Sequence, residues 1–296
     1  MIRRQVQQLL SRARSLLTTF QQGGEPRYID EAILLDREAI DLCTLGHPKR
    51  SVCLSQLSLH LGTRYNLLGQ TEDLNEAILI DRDVLALRPP GHPNRSLSLN
   101  NLALHLRTRY SLLGGIEDLD EAILLDRGAL AFRPPGHPDR SSSLNNLAVG
   151  LSTRYNQLGV VEDLNEAILL GRDALILCPP GHSHRSLSLS NLADDLSTRY
   201  NLLGGVADLH EAVLLNRDAL ALLPPGHPDR SPSLSNLAVH LATRYQLFGG
   251  VEDLEEAIVL ARDALALRPQ EHPARSSSIN NLANHLGTRY NLLGRV

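Results

Sequence analysis

Residues 99–115 read LNNLALHLRTRYSLLGG, and this stretch decides the fold. Its apolar side chains recur three and four residues apart, at Leu99, Leu102, Leu106, Tyr110 and Leu113. That spacing predicts one apolar stripe along about four turns of an α-helix. We expect this helix to begin just after Gly-His-Pro, since a proline near a helix start has no N–H to leave unbonded. We expect it to end at Gly114.

A second helix is predicted to follow the first. It opens with Asp118-Leu119-Asp120-Glu121, where an N-cap carboxylate followed three residues later by glutamate indicates a helix start. It is expected to end near Pro134-Pro135. Its apolar side chains cover more than one narrow face, at Leu119, Ala122, Ile123, Leu124, Leu125, Ala129 and Leu130. A helix coated so widely is expected to pack on two sides, as in a stack of helical hairpins.

The pair of helices recurs every 45 residues along the chain. The tripeptide Thr-Arg-Tyr marks the period, ending at Tyr65, Tyr110, Tyr155, Tyr200, Tyr245 and Tyr290. The predicted units span about 1–45, 46–90, 91–135, 136–180, 181–225, 226–270 and a half unit at 271–296. The pattern therefore predicts an all-α, right-handed α-solenoid of helical hairpins, one domain over 1–296 with about 6.5 repeats and 13 helices.

The last predicted helix keeps the apolar pattern of the internal ones, although the sequence ends directly after it. Solenoids usually finish on a cap with a polar outer face. We therefore expect the chain to be a piece of a longer protein; the alternative is that this helix is itself a plain cap.

Composition narrows the class of partner. Lys and Arg total 29 against 33 Asp and Glu, a formal charge of −4. This charge lacks the basic excess that favours nucleic acid or anionic membranes, so neither is expected as a partner. Three cysteines fit a reducing compartment, and the arginines near the start leave no signal-peptide core. We expect a cytoplasmic protein with no membrane span.

The motif at 145–148, Asn-Asn-Leu-Ala, followed by the Gly159 turn and Glu-Ala-Ile at 166–168, resembles a tetratricopeptide repeat (TPR). The repeat here is longer than the usual 34 residues or so. The aromatic residue usual in the second helix is replaced, at Asp36, Asp81, Asp126, Gly171, Asn216 and Ala261. The packing near these positions must therefore differ from that of the standard unit.

The combination of His-Pro-Asp at 137–139 with Ser-Leu-Asn-Asn-Leu-Ala at 143–148 is more specific. It resembles the longer repeats of kinesin light chains and of fungal multi-repeat proteins. The fungal resemblance implies that a CHAT domain, a caspase-like protease fold, could follow the repeats.

One asparagine recurs on the first helices, nearly opposite the apolar stripe, and is predicted to be exposed. The TPR resemblance implies that such asparagines line a concave groove and hold the backbone of an extended peptide. The alternative is that near-identical repeats simply retain a duplicated residue. The predicted peptide-binding groove comprises Asn101, Asn146, Asn191, Asn236, Asn281, Leu104, Val149, Asp194, Val239, Thr108 and Thr153.

Other recurring polar residues are interpreted as structural. The loop histidines (His47 and its equivalents) are too far apart for a shared zinc ion, given helix spacing of about 8 to 10 Å. The Thr-Arg-Tyr arginines and those of the second helices (Arg37 and its equivalents) are expected to join repeats, with a role in clamping a partner's anions as the alternative. No nucleophile, phosphate loop, cofactor motif or metal set stands out.

These patterns favour a non-enzymatic scaffold that binds a peptide or helix of a partner protein. The alternative function, from a different class, is a sensor or regulatory arm of a larger CHAT-type protease.

Overall fold

The computed structural model describes residues 2–294. Within that range the chain forms 13 α-helices and no strand. The all-α class is confirmed. The helices are α1 (Ile2–Gly23), α2 (Pro26–Leu42), α3 (Arg50–Leu68), α4 (Thr71–Ala86), α5 (Arg95–Leu113), α6 (Ile116–Ala131), α7 (Arg140–Leu158), α8 (Val161–Ile176), α9 (Arg185–Leu203), α10 (Val206–Ala221), α11 (Arg230–Phe248), α12 (Val251–Ala266) and α13 (Arg275–Leu293).

Glycine ends the first helix of a hairpin, as predicted. Gly114 follows α5 with φ of 75°, and its N–H donates to the Tyr110 carbonyl at 2.7 Å. A left-handed backbone suits glycine because it has no Cβ to collide with the carbonyl oxygen. The turn is therefore sharp, and the second helix starts at once beside the first.

The predicted start of the second helix was wrong. α6 begins at Ile116 with Gly115 as its N-cap, which places Asp118 at the third helical position. No side chain caps this helix; the Asp118 carboxylate instead accepts two hydrogen bonds from Arg109. An acid in the first turn still favours the helix through its dipole.

The hairpins form two compact units, Met1–Gly150 and Leu151–Val296. In the first, α4 packs on α3 of its own hairpin and on α5 of the next; in the second, α10 packs likewise on α9 and α11. This two-sided packing confirms the α-solenoid of helical hairpins. The single domain over 1–296 and its right-handed coil stay predictions. None of the helices in the described range combines the length and apolarity needed to cross a bilayer.

The core lies between the helices and is made of leucine, isoleucine and alanine. In the first unit Leu102 and Leu106 are fully buried against Ile78 and Ala122. Two sequence-based core assignments were wrong, because Leu124 and Leu113 are each 69% exposed. Leu124 lies on the one side of α6 that no neighbouring helix covers. The same position is exposed throughout, at Leu34, Leu79, Leu124, Leu169, Leu214 and Val259.

Replacing Leu102 with Ala is expected to lower the free energy of unfolding by about 2 to 5 kcal/mol, because the cavity left in a packed core is not refilled. Denaturant unfolding followed by circular dichroism measures the loss. Hydrogen exchange should rise mainly in residues 91–135 and the adjacent hairpins, since each repeat contacts only its neighbours. The matched control is Leu104→Ala on the same helix, where the exposed side chain should cost less than about 0.5 kcal/mol. Equal losses in both variants would contradict this core.

Candidate functional site

The recurring asparagines of the first helices are half-buried, so the prediction that they are exposed was wrong. Asn236 shows the reason: its amide nitrogen donates to both carboxylate oxygens of Asp194 on the preceding first helix, at 3.0 and 2.9 Å. Gln56, at the equivalent position of the first full hairpin, is buried and donates to Asp36 and to the Leu10 carbonyl. Asn236 and Gln56 therefore join adjacent repeats.

The positions beside the asparagines are more open. Leu104 is 53% exposed and Val239 is 38% exposed, while Val149 and Asp194 are half-buried. The Thr108 hydroxyl donates to the Leu104 carbonyl within its own helix at 2.9 Å, and Thr153 is half-buried. We call this surface the first-helix face. It comprises, within each unit, the asparagines of the row together with their neighbours on the first helices, which are Leu97, Leu104, Val149, Leu187, Asp194 and Val239.

The arginines of Thr-Arg-Tyr have a structural role, as the sequence favoured, but their bidentate bond is made within one hairpin and not between repeats. The guanidinium of Arg109 donates from Nε and Nη2 to the two oxygens of Asp118, both at 2.6 Å. This bidentate pair links the two helices of one hairpin and raises the pKa of Arg109. The same pair recurs as Arg64–Asp73, Arg154–Asp163, Arg199–Asp208 and Arg244–Asp253.

The second-helix arginines join one repeat to the next. Arg82 pairs with Glu121 at 2.7 Å, and Arg37, Arg172 and Arg217 make the equivalent pairs. All these guanidinium groups are nearly half-exposed, so each pair contributes little to stability.

The loop histidines act in turns. His92 Nδ1 accepts the backbone N–H of Asn94 at 3.1 Å, and His137 accepts that of Asp139 at the same distance. Each ring thus fixes the backbone just before a first helix. Across residues 2–294, no three His, Cys, Asp or Glu side chains are grouped so that they could hold a metal ion.

A second set of histidines is buried and bonded to the residue that replaces the usual TPR aromatic. His60 Nδ1 lies 2.5 Å from Asp36, and His105 Nδ1 lies 2.8 Å from Asp81. Sequence reasoning missed this contact. The signal was available, because each histidine follows its aspartate by 24 residues.

The hairpins that lack this histidine satisfy their buried acid differently. Where Gly150 takes the histidine position, Arg107 pairs with Asp126. In the second unit Asp195 itself takes the position, and Ser152 donates to it at 2.6 Å. Burial raises the pKa of Asp126 and of Asp195 to about 6. Both carboxylates are therefore costly to keep charged.

Three buried arginines form another layer that sequence reasoning missed. Arg88 and Arg133 are each only 3% exposed, and Arg268 is also buried. Each guanidinium donates to a serine ten residues later; Arg88 Nη1 lies 2.7 Å from Ser98 Oγ and Arg133 Nη1 lies 2.7 Å from Ser143 Oγ. Burial lowers the pKa of all three.

A cavity of about 190 Å³ opens beside the first-helix face of the second unit. Three of the predicted groove residues line it: Asn191, Asp194 and Asn236. Leu223 lies at its inner end, at the position where Arg88 and Arg133 stand in other repeats.

Solved structures of other repeat proteins have a similar architecture. A putative kinesin light chain with nearly identical TPR-like repeats from Podosopora anserina has a TM-score of 0.52 and 23% identity, covering 73% of this chain and 97% of that one. An IFIT1 monomeric mutant with Gppp-AAAA has a TM-score of 0.58 and 15% identity, covering 94% of this chain and 59% of that one. The chain has the fold of TPR-like repeat proteins. No protein-family model and no curated protein sequence matches it.

The cost of a buried charge can be tested at Asp195, which takes the position of His60 and His105 in the second unit. We expect Asp195→Asn to be more stable than the parent at pH 8. The pKa of Asp195 is raised in the folded state, so its carboxyl group favours folding below about pH 4 and loses that contribution as the pH rises through about 6. The variant should therefore gain up to about 3 kcal/mol between pH 4 and pH 8 relative to the parent.

Denaturant unfolding at both pH values measures this difference. Asp218→Asn, the same change at an exposed position of α10, serves as the control and should show no such gain. A parallel pH dependence of the parent and Asp195→Asn would contradict the costly buried charge.

Proposed function

We propose that this TPR-like solenoid is a protein-interaction scaffold that binds an extended peptide segment or a helix of a partner protein along the first-helix face. The observation that carries the proposal is the recurrence, on that face, of open apolar side chains beside amides. Leu97 and Leu104 in the first unit, and Leu187 and Val239 in the second, are each more than a third exposed. Recurring exposed apolar groups rimmed by polar ones mark interaction surfaces.

The asparagine amides suit peptide backbone. A primary amide can donate to a C=O and accept from an N–H of a bound peptide, so it recognises the peptide backbone whatever the peptide's side chains are. Helices about 10 Å apart would present one amide for every third residue of an extended peptide that rises about 3.3 Å per residue. The neighbouring positions differ between repeats, as in Leu104, Val149 and Asp194, and these differences would supply selectivity.

A protein partner fits the charge of the chain better than a nucleic acid. The formal charge is −4, and the arginines of Thr-Arg-Tyr are paired with carboxylates rather than presented to a ligand. The IFIT1 structure contains Gppp-AAAA, so RNA is a partner class that binding experiments should include. The polar clusters described above serve packing, and we propose no catalytic role. A cytoplasmic location and the regulatory arm of a CHAT-type protease stay predictions.

Photo-crosslinking distinguishes the two faces that expose leucines. A benzophenone amino acid is placed at Leu104 or Val239 on the first-helix face, and at Leu124 or Leu214 on the second helices. Partners captured from cell extract are then identified by mass spectrometry. We expect protein crosslinks from positions 104 and 239 and few from 124 and 214. Crosslinks confined to the second-helix positions, or to RNA, would overturn the proposal.

A triple variant tests the asparagines. Changing Asn101, Asn146 and Asn281 together to Ala should weaken binding of a captured partner by about 0.5 to 1.5 kcal/mol for each lost hydrogen bond. Isothermal titration calorimetry measures this loss. The control makes the same substitution at the exposed helix ends Asn66, Asn156 and Asn201 and should bind like the parent. If the two triple variants bind equally well, the asparagine row is only a product of repeat duplication.

A further inference from the structure

An arginine side chain of the chain itself occupies one internal position in several repeats. In the first unit Arg88 reaches between two first helices, where it donates to Ser98 Oγ at 2.7 Å and to the Ser51 carbonyl at 3.1 Å. Arg133 donates to Ser143 Oγ and to the Asp139 carbonyl, and the amide of Asn100 lies 2.8 Å from its Nη1. The surroundings of this position thus form a guanidinium site.

Leu223 stands at the same position in the second unit, two repeats after Arg133. A leucine side chain is shorter and carries no donor, so it cannot reach the partners that the arginines bond. The cavity of about 190 Å³ lies there. The groups that bond arginine elsewhere still line it: Ser186 corresponds to Ser51, Ser190 to Asn100, Asp229 to Asp139, and Ser233 to both Ser98 and Ser143.

The cavity also gains a carboxyl group, whose pKa is raised to about 7 by burial and by the adjacent Asp195, so that it is fully ionised only above neutral pH. Asp194 lines it, whereas the equivalent residues in the other full repeats are apolar, as in Leu59, Leu104, Val149 and Val239. The Asp194 side chain is about half-exposed, so a ligand can reach it from solvent. The amide nitrogen of Asn236 donates to both carboxylate oxygens of Asp194. A carboxylate at the mouth of a site lined by serines and a second acid, Asp229, favours a cation.

We propose that this cavity binds the guanidinium group of an arginine side chain from a partner protein, which takes the place that Arg88, Arg133 and Arg268 fill internally in other repeats. The inference rests on the proposed peptide-binding function and names one side chain that the peptide must carry. Ser233 and the backbone carbonyls at the cavity would accept the guanidinium N–H groups, and Asp194 would pair with the charge.

The test measures the binding of two short peptides to the parent protein: acetyl-Gly-Arg-Gly-amide and its citrulline counterpart, which has the same shape but no charge. Binding is followed by nuclear magnetic resonance of isotope-labelled leucine methyl groups. We expect the arginine peptide to shift the Leu223 methyl signals and to bind at least about tenfold more tightly than the citrulline peptide, because charge-assisted hydrogen bonds are the stronger ones. Equal affinities for the two peptides would overturn the proposal.

Leu223→Arg provides a second test, because it should fill the cavity with the protein's own guanidinium. We expect this variant to fold with a thermal midpoint at or above that of the parent and to lose binding of the arginine peptide. The matched control is Leu222→Arg, which adds the same charge at the exposed neighbouring residue and should keep the binding. Tight binding by Leu223→Arg would refute the site.

Asp194→Asn covers the case in which Leu223→Arg fails to fold. It removes one charge at a half-exposed position and should weaken arginine binding at least about fivefold while leaving the melting temperature nearly unchanged. The asparagines of the earlier triple variant do not line this cavity. If the triple variant loses partner binding and the parent protein does not bind the arginine peptide, only the cavity proposal is wrong. If the triple variant keeps partner binding and the parent protein does bind the arginine peptide, only the proposed role of the asparagine row is wrong.

Discussion

Close contact at one alanine in every second helix sets the spacing of the repeats. The six alanines, at Ala32, Ala77, Ala122, Ala167, Ala212 and Ala257, are all completely buried. A larger side chain at these positions would force the helices apart, and such overpacking costs about 1 to 3 kcal/mol per site. With the spacing held short, the leucines of the first helices interdigitate. The Arg–Asp pair can then bridge the hairpin with two bonds of 2.6 Å.

The period and the glycine ends could be predicted from the sequence because they depend on residues near each other in the chain. The role of Asp118 could not be predicted from the sequence. A carboxylate followed three residues later by glutamate suits a helix N-cap, and the same carboxylate suits a bidentate partner for arginine. Only the position of Arg109 across the turn distinguishes the two. The core assignment of Leu124 was wrong for a related reason, since its exposure depends on which side of α6 the neighbouring helices leave uncovered.

The buried polar layer differs from one repeat to the next. Asp36 and Asp81 pair with histidines, whereas Asp126 pairs with Arg107 because Gly150 replaces the histidine. The partner of the buried acid is thus histidine in two repeats and arginine in a third. Leaving such a group unpaired would cost more than any single bond contributes. A pattern averaged over the repeats hides these substitutions, because the partner changes from one repeat to the next.

The asparagine row was predicted with too much exposure, since Asn236 and its equivalent Gln56 also bond a neighbouring repeat. Gln56 and Asn236 stand at equivalent positions but bond different partners. Gln56 donates to Asp36, which keeps that buried acid bonded although Cys43 stands where other repeats have arginine. Asn236 instead turns to Asp194, and the acid position beside it is the neutral Asn216.

These departures in one repeat are therefore connected. With Leu223 in place of arginine and no amide turned inward, a buried aspartate at position 216 would keep only His240 as a partner, so a neutral residue at that position follows from packing. The acidic side chain at position 194 does not follow from packing in the same way. It is half-exposed, and its partial burial and the adjacent Asp195 raise its pKa. The basic side chain that faces it is His240, with Nε2 at 4.0 Å, and burial lowers the pKa of His240 to about 4, so this ring is neutral at pH 7. Asn236 needs only an acceptor at this position, which a neutral amide would also supply. The proposed arginine site accounts for an acidic side chain there, because a carboxylate can pair with the guanidinium group of a partner.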